Sequence, residues 1–176
     1  MKKRKIFSKN IESNKMQIFY KFVNKLSLWG AYLSALLLIS LTLLILTEIF
    51  IRYFFDMSTM IADEYSGYLY LASIFLGLAY TFNEDAHIRI NIITSKMSKK
   101  SNRFIDVFAG LITIAILGFT LYRTILFTYD SYEMQMVSES VSATPLYLTQ
   151  LVMPLGITIF ALSVLVFVLK GLKNDI

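Results

Sequence analysis

What most limits this chain is a repetition of apolar runs long enough to cross a lipid bilayer. Four of them occupy about residues 28–51, 65–82, 104–128 and 146–169. A hydrocarbon core of about 30 Å takes about 20 residues of helix. Lipid offers the backbone no hydrogen-bond partners, so a spanning segment must be a helix or part of a closed barrel, and these runs are too long and unbroken for barrel strands. Only 16% of the residues are charged, where soluble domains carry about a quarter. The reading is an all-α integral membrane protein. A basic arm covers 1–27, one domain of four transmembrane helices covers 28–170, and a short tail covers 171–176.

The net charge of +5 would suit a nucleic-acid binder if it lay on one surface, but it is partitioned along the chain. Eight Lys and Arg precede Leu28, five lie between the second and third runs, and Lys170 and Lys173 follow the fourth. The other two connections hold Arg52 alone, and Arg123 lies inside the third run. Positive residues accumulate on the cytoplasmic side of membrane proteins. Both termini are therefore expected inside (N-in/C-in), with 52–64 and 129–145 outside. The basic excess reads as topology and as attraction to anionic membrane lipid. Nucleic acid is not expected as a partner.

The chain has no cysteine, which removes disulfides and thiolate metal sites. Its single histidine, His87, cannot supply both axial ligands of a membrane b-type haem. Phosphate-binding glycine loops, nucleophile–base sets and metal-ligand clusters are absent from the sequence, so neither catalysis nor a cofactor is expected. The first apolar run is too long for the core of a cleaved signal peptide, so the arm is expected to remain attached.

Phe19, Phe22, Val23 and Leu26 recur at helical spacing among Lys21, Asn24 and Lys25. That pattern predicts an amphipathic helix on the inner membrane surface running into the first span, with a partly disordered basic arm as the alternative. Ile88, Ile92 and Met97 among Arg89, Lys96 and Lys99 suggest a second interfacial helix. Small residues permit close helix approach in lipid. They point to contacts at Ser66, Ser73 and Gly77 on the second helix and at Gly110 and Gly118 on the third. Pro145 suits a helix start, and Pro154 should bend the fourth helix and free a carbonyl.

The costly residues are charges at the rim. Glu48 and Arg52 stand four apart at the outer end of the first helix, acid before base, the favourable order for a helical pair. Asp63 and Glu64 open the second helix, where the helix dipole favours carboxylates. The hairpin between them should bring Glu64 within reach of Arg52 and Glu48. Three roles are open for this cluster: marking the interface and holding the hairpin together, anchoring a partner subunit, or binding an ion or substrate directly. Arg123 should face protein or reach the outer headgroups, with Asp130 or Glu133 as candidate partners.

The segment "EIFIRYFF" followed by "ADEYSGYLYLASIFLGLAYTFNEDAHIRINII" resembles the small membrane subunit of tripartite ATP-independent periplasmic (TRAP) transporters, the DctQ-like component. The family pattern matches Glu48, Arg52, Tyr53, Glu64, Phe75, Leu76, Gly77, Ala79, and a cytoplasmic-end motif at His87 and Ile88. "TPLYLTQLVMPLG" is similar to the start of the family's fourth span. The chain departs at Ile61, where an aromatic is common, at Asn83 and Glu84, where basic residues are common, and at Asn91, where Asp is common.

The resemblance implies a non-catalytic scaffold in the bacterial inner membrane. It would brace a large permease subunit that carries the substrate and sodium sites. An extracytoplasmic solute-binding protein would deliver an organic anion, typically a carboxylate. No substrate site is expected in this chain. The alternative is a self-contained small channel or carrier.

Overall fold

Each apolar run becomes a helix. In the computed structural model, which describes residues 2–84 and 99–173, side chains are described over 16–84 and 101–173. Helix α1 (Lys2–Phe55) is followed by α2 (Ala62–Asn83), α3 (Lys99–Glu133), the short α4 (Leu146–Gln150) and α5 (Val152–Lys173). Among the described residues the sole β-type pairing is an isolated bridge between Val137 and Pro145 in the α3–α4 loop.

Three segments, Met16–Phe55, Ser101–Glu133 and Leu146–Lys173, are long and apolar enough to cross a membrane. α2 is the fourth long helix; its 22 residues rise about 33 Å at 1.5 Å each. Its tyrosines, serines and glycines dilute its apolar character, which suits a helix packed between α1 and α5. α1 has 54 residues, so the basic arm and the first span form one continuous helix much longer than a bilayer is thick. The second half of the arm is packed into the bundle, for Val23 and Ser27 are buried.

α5 is the hub. It packs against α1, α2 and α3, and a third of its span (33%) is buried, against 11% for the α3 span and 6% for the α1 span. The exposed faces of α1 and α3 are rows of Leu, Ile and Phe, as expected where lipid replaces water.

Close approach depends on residues without bulk. Gly30 of α1 lies against the Leu76 carbonyl of α2, where an added Cβ would come within 2.7 Å of the oxygen. Gly156 of α5 lies on the Phe75 backbone in the same way. Ser34 donates to the Ser73 carbonyl at 2.6 Å, and Gly77 faces the Ser34 hydroxyl. Phe82 stands edge-on to Phe160 and Phe167, both 5.6 Å away, closing the α2–α5 seam.

At the C-terminal end of α5, Arg103 of α3 donates to the Gly171 and Leu172 carbonyls. A cation there satisfies carbonyls that the ending helix leaves open and opposes its dipole. The break between α4 and α5 falls at Leu151, three residues before Pro154. Proline has no N–H to return to the Gln150 carbonyl, so the helix loosens one turn upstream of the ring.

Candidate functional site

The C-terminal end of α1 and the N-terminal end of α2 hold the charged cluster singled out from the sequence, and the structure divides it into two groups. Glu48 is 6% exposed and accepts from four donors. Arg52 Nε is 2.6 Å away, Ser58 Oγ is 2.6 Å away, and Thr59 contributes both its backbone N–H at 3.1 Å and its hydroxyl. Arg52 also reaches Ser58 at 3.3 Å and lies 3.9 Å from the exposed Asp63 carboxylate. Glu48 thus knots the α1–α2 loop onto the end of its own helix.

Glu64 is not in that group. Successive residues of a helix point about 100° apart, from 3.6 residues per turn, so Asp63 faces Arg52 while Glu64 faces the α3–α4 loop. There it accepts from the hydroxyls of Ser140, Ser142 at 2.6 Å and Tyr68 at 2.5 Å. Tyr65 adds a contact to Thr144 at 3.1 Å. Just outside the span beginning at residue 65, the Glu64 carboxyl is held down from 4.5 to about 2, chiefly by the Ser140 and Ser142 hydroxyls and then Tyr68. The loop it grips is compact: Ser138 N–H bonds the Thr144 carbonyl at 2.9 Å, and Leu146 N–H bonds the Met136 carbonyl at 3.0 Å. Two separate carboxylates therefore fix the α1–α2 and α3–α4 loops.

Sequence reasoning overlooked the hydroxyl partners. Ser58 and Thr59 sit in an ordinary-looking turn. Ser138, Ser140, Ser142 and Thr144, however, alternate along the α3–α4 loop, and that spacing was a readable sign of hydroxyls converging on one acceptor.

The packing residues divide similarly. Ser73 is buried and donates to the Tyr70 carbonyl at 2.7 Å. Gly77 adjoins α1 and Gly110 adjoins Val168 of α5, whereas Gly118 has nothing within 4 Å. Eight residues at 3.6 per turn leave Gly118 about 80° away from Gly110, turned from α5. Ser66 is half-buried and bonds back to the Asp63 carbonyl.

Arg123 is exposed on α3, and among the described residues it forms no ion pair with Asp130 or Glu133. His87, Ile88 and the expected second interfacial helix lie outside the described residues. At the C-terminal end of α2, Asn83 donates to Ser27 at 3.1 Å and to Ser163 at 3.4 Å, joining α1, α2 and α5 through serines that are 0% and 1% exposed.

A helical bundle with lipid-facing apolar walls and charges gathered toward its two ends defines an integral membrane subunit. The family described as tripartite ATP-independent periplasmic transporters, DctQ component, matches residues 41–174, and the chain belongs to that family. A Haemophilus influenzae protein assigned as a TRAP transporter small permease protein is 24% identical over 134 residues, 76% of this chain and 81% of the relative. A second protein of that organism with the same assignment is 32% identical over 82 residues, 47% of this chain and 49% of its own length. No solved structure matches. The chain is thus a TRAP small permease subunit, a multi-pass protein of the bacterial inner membrane.

Proposed function

We propose that this chain braces the large permease subunit of a TRAP transporter during ion-coupled uptake of an organic anion of the carboxylate class. An extracytoplasmic solute-binding protein delivers the anion, and the substrate and coupling sodium bind to the large subunit. The chain lies N-in/C-in, with the loops after α1 and α3 outside. The observation that carries the reading is the internal use of the rim charges. All four donors to Glu48 come from α1 and the loop that follows it, so the cluster stiffens a rim and lines no passage. A stiff rim is what a moving partner needs to push against. The exposed Arg123 and the unoccupied surface at Gly118 support α3 as the partner-facing helix, since an intramembrane charge requires a counter-charge or polar contact.

Co-expression with a large TRAP permease subunit from the same organism tests the proposal. The two chains are expected to purify as one complex in mild detergent, and uptake by cells is expected to require both. Elution of this chain by itself, with uptake intact after its deletion, would remove the reading.

A further inference from the structure

We infer that the inner ends of α1, α2 and α5 form a binding site for the phosphate of an acidic phospholipid headgroup. A cavity of about 280 Å³ opens there. Its floor is apolar, made by the buried Val23 and Val166, and its rim carries Lys21, Asn24 and Lys170. Among its described residues the lining contains two ammonium groups and no carboxylate. Among the described residues neither lysine takes part in an ion pair.

The site is partly built. The Lys170 ammonium sits 5.3 Å from the centre of the Tyr20 ring, and such a cation–π contact holds a charge in place without neutralising it. Asn83, which lines the same cavity, is anchored from below by Ser27 and Ser163. Lysines are point-charge binders of phosphate oxygens. Basic pockets between helices on the cytoplasmic side take anionic headgroups.

A phosphate could arrive free or on a lipid, and the surroundings favour the lipid. The apolar floor gives a hydrated ion no compensation for lost water. The cavity also lies between the ends of α1 and α5, helices long and apolar enough to cross a membrane, where lipid headgroups are at hand. The inference is independent of the transporter reading, because retention of lipid requires no partner subunit.

The full-length chain in nanodiscs of equal phosphatidylglycerol and phosphatidylethanolamine, extracted and weighed by native mass spectrometry, supplies the test. Wild type is expected to keep phosphatidylglycerol in preference. Lys21→Gln with Lys170→Gln should weaken the binding of phosphatidylglycerol relative to phosphatidylethanolamine about thirtyfold, the effect of two lysines near a charged surface. Lys21→Arg with Lys170→Arg should restore it, and Lys173→Gln, outside the lining, should leave it unchanged. Equal retention of both lipids, or unchanged retention in the double Gln variant, overturns the site. In neutral detergent without acidic lipid, stabilisation of wild type but not the double Gln variant by inorganic phosphate would assign the pocket to a free anion and overturn the lipid assignment.

Discussion

Replacing single glycines with alanine separates the packing of this bundle from its helix propensity. At Gly156 a new Cβ would lie 2.6 Å from the Phe75 carbonyl carbon and 2.8 Å from the Phe75 Cβ, so α2 and α5 must move apart. Overpacking of this kind costs about 1–3 kcal/mol. At Gly118 the same atom meets nothing within 4 Å, leaving only the gain from Gly to Ala in a helix, up to about 1 kcal/mol. Both variants share that gain, so their difference isolates the packing cost of about 1–3 kcal/mol, or about five- to 150-fold in the folding equilibrium. Titration with SDS in mixed micelles, read by pulse proteolysis, measures it. Gly156→Ala should unfold at lower SDS than wild type, and Gly118→Ala at equal or higher SDS. Gly30→Ala should resemble Gly156→Ala, because its Cβ would meet the Leu76 carbonyl at 2.7 Å. Equal midpoints for Gly156→Ala and Gly118→Ala would refute the assignment of the α2–α5 seam.

Three further outcomes are expected. Glu48→Arg and Arg52→Glu should each impair uptake in cells, and the double exchange should recover only part of it, since an Arg at 48 cannot accept from the Thr59 N–H. Insensitivity of uptake to both single changes would sink the role of the rim. The Glu64 tether should depend on pH in one direction only. Its carboxyl is lowered in the folded chain from 4.5 to about 2, so its contribution is complete above the ordinary value and fades as pH falls toward 2. Amide protection across 138–144, taken against the intrinsic exchange rate at each pH, should therefore fall below about pH 4 in wild type, and Glu64→Gln should show low protection at neutral pH. Topology is open to labelling because the chain lacks Cys: Val141→Cys, at a position 79% exposed, should react with an impermeant maleimide from outside intact cells. Lys99→Cys should react only after permeabilisation; the opposite pattern would invert the bundle.

The long helices were legible because each follows from an uninterrupted apolar run, and the Glu48–Arg52 pair because both residues lie on one helix four positions apart. Legibility fell where the answer depended on how helices are rotated about their axes. Asp63 and Glu64 looked like one acidic pair, yet adjacent helical positions diverge and serve different loops. Gly110 and Gly118 looked like one stripe, yet the turn between them sends one to α5 and the other outward. The junction of Ser27, Asn83 and Ser163 was hidden for another reason. Its members are 56 and 80 residues apart in sequence, and no local period links polar residues that meet only after three helices pack. Asn83 also departs from the family pattern, so resemblance offered no guide to it.

Flux through purified vesicles bears most directly on the role of this chain. Proteoliposomes containing this polypeptide alone should take up no organic anion under a sodium gradient and pass no current. Adding the large subunit and the binding protein should start uptake. Selective flux from the lone polypeptide would contradict the account, for it would place the passage within these four helices.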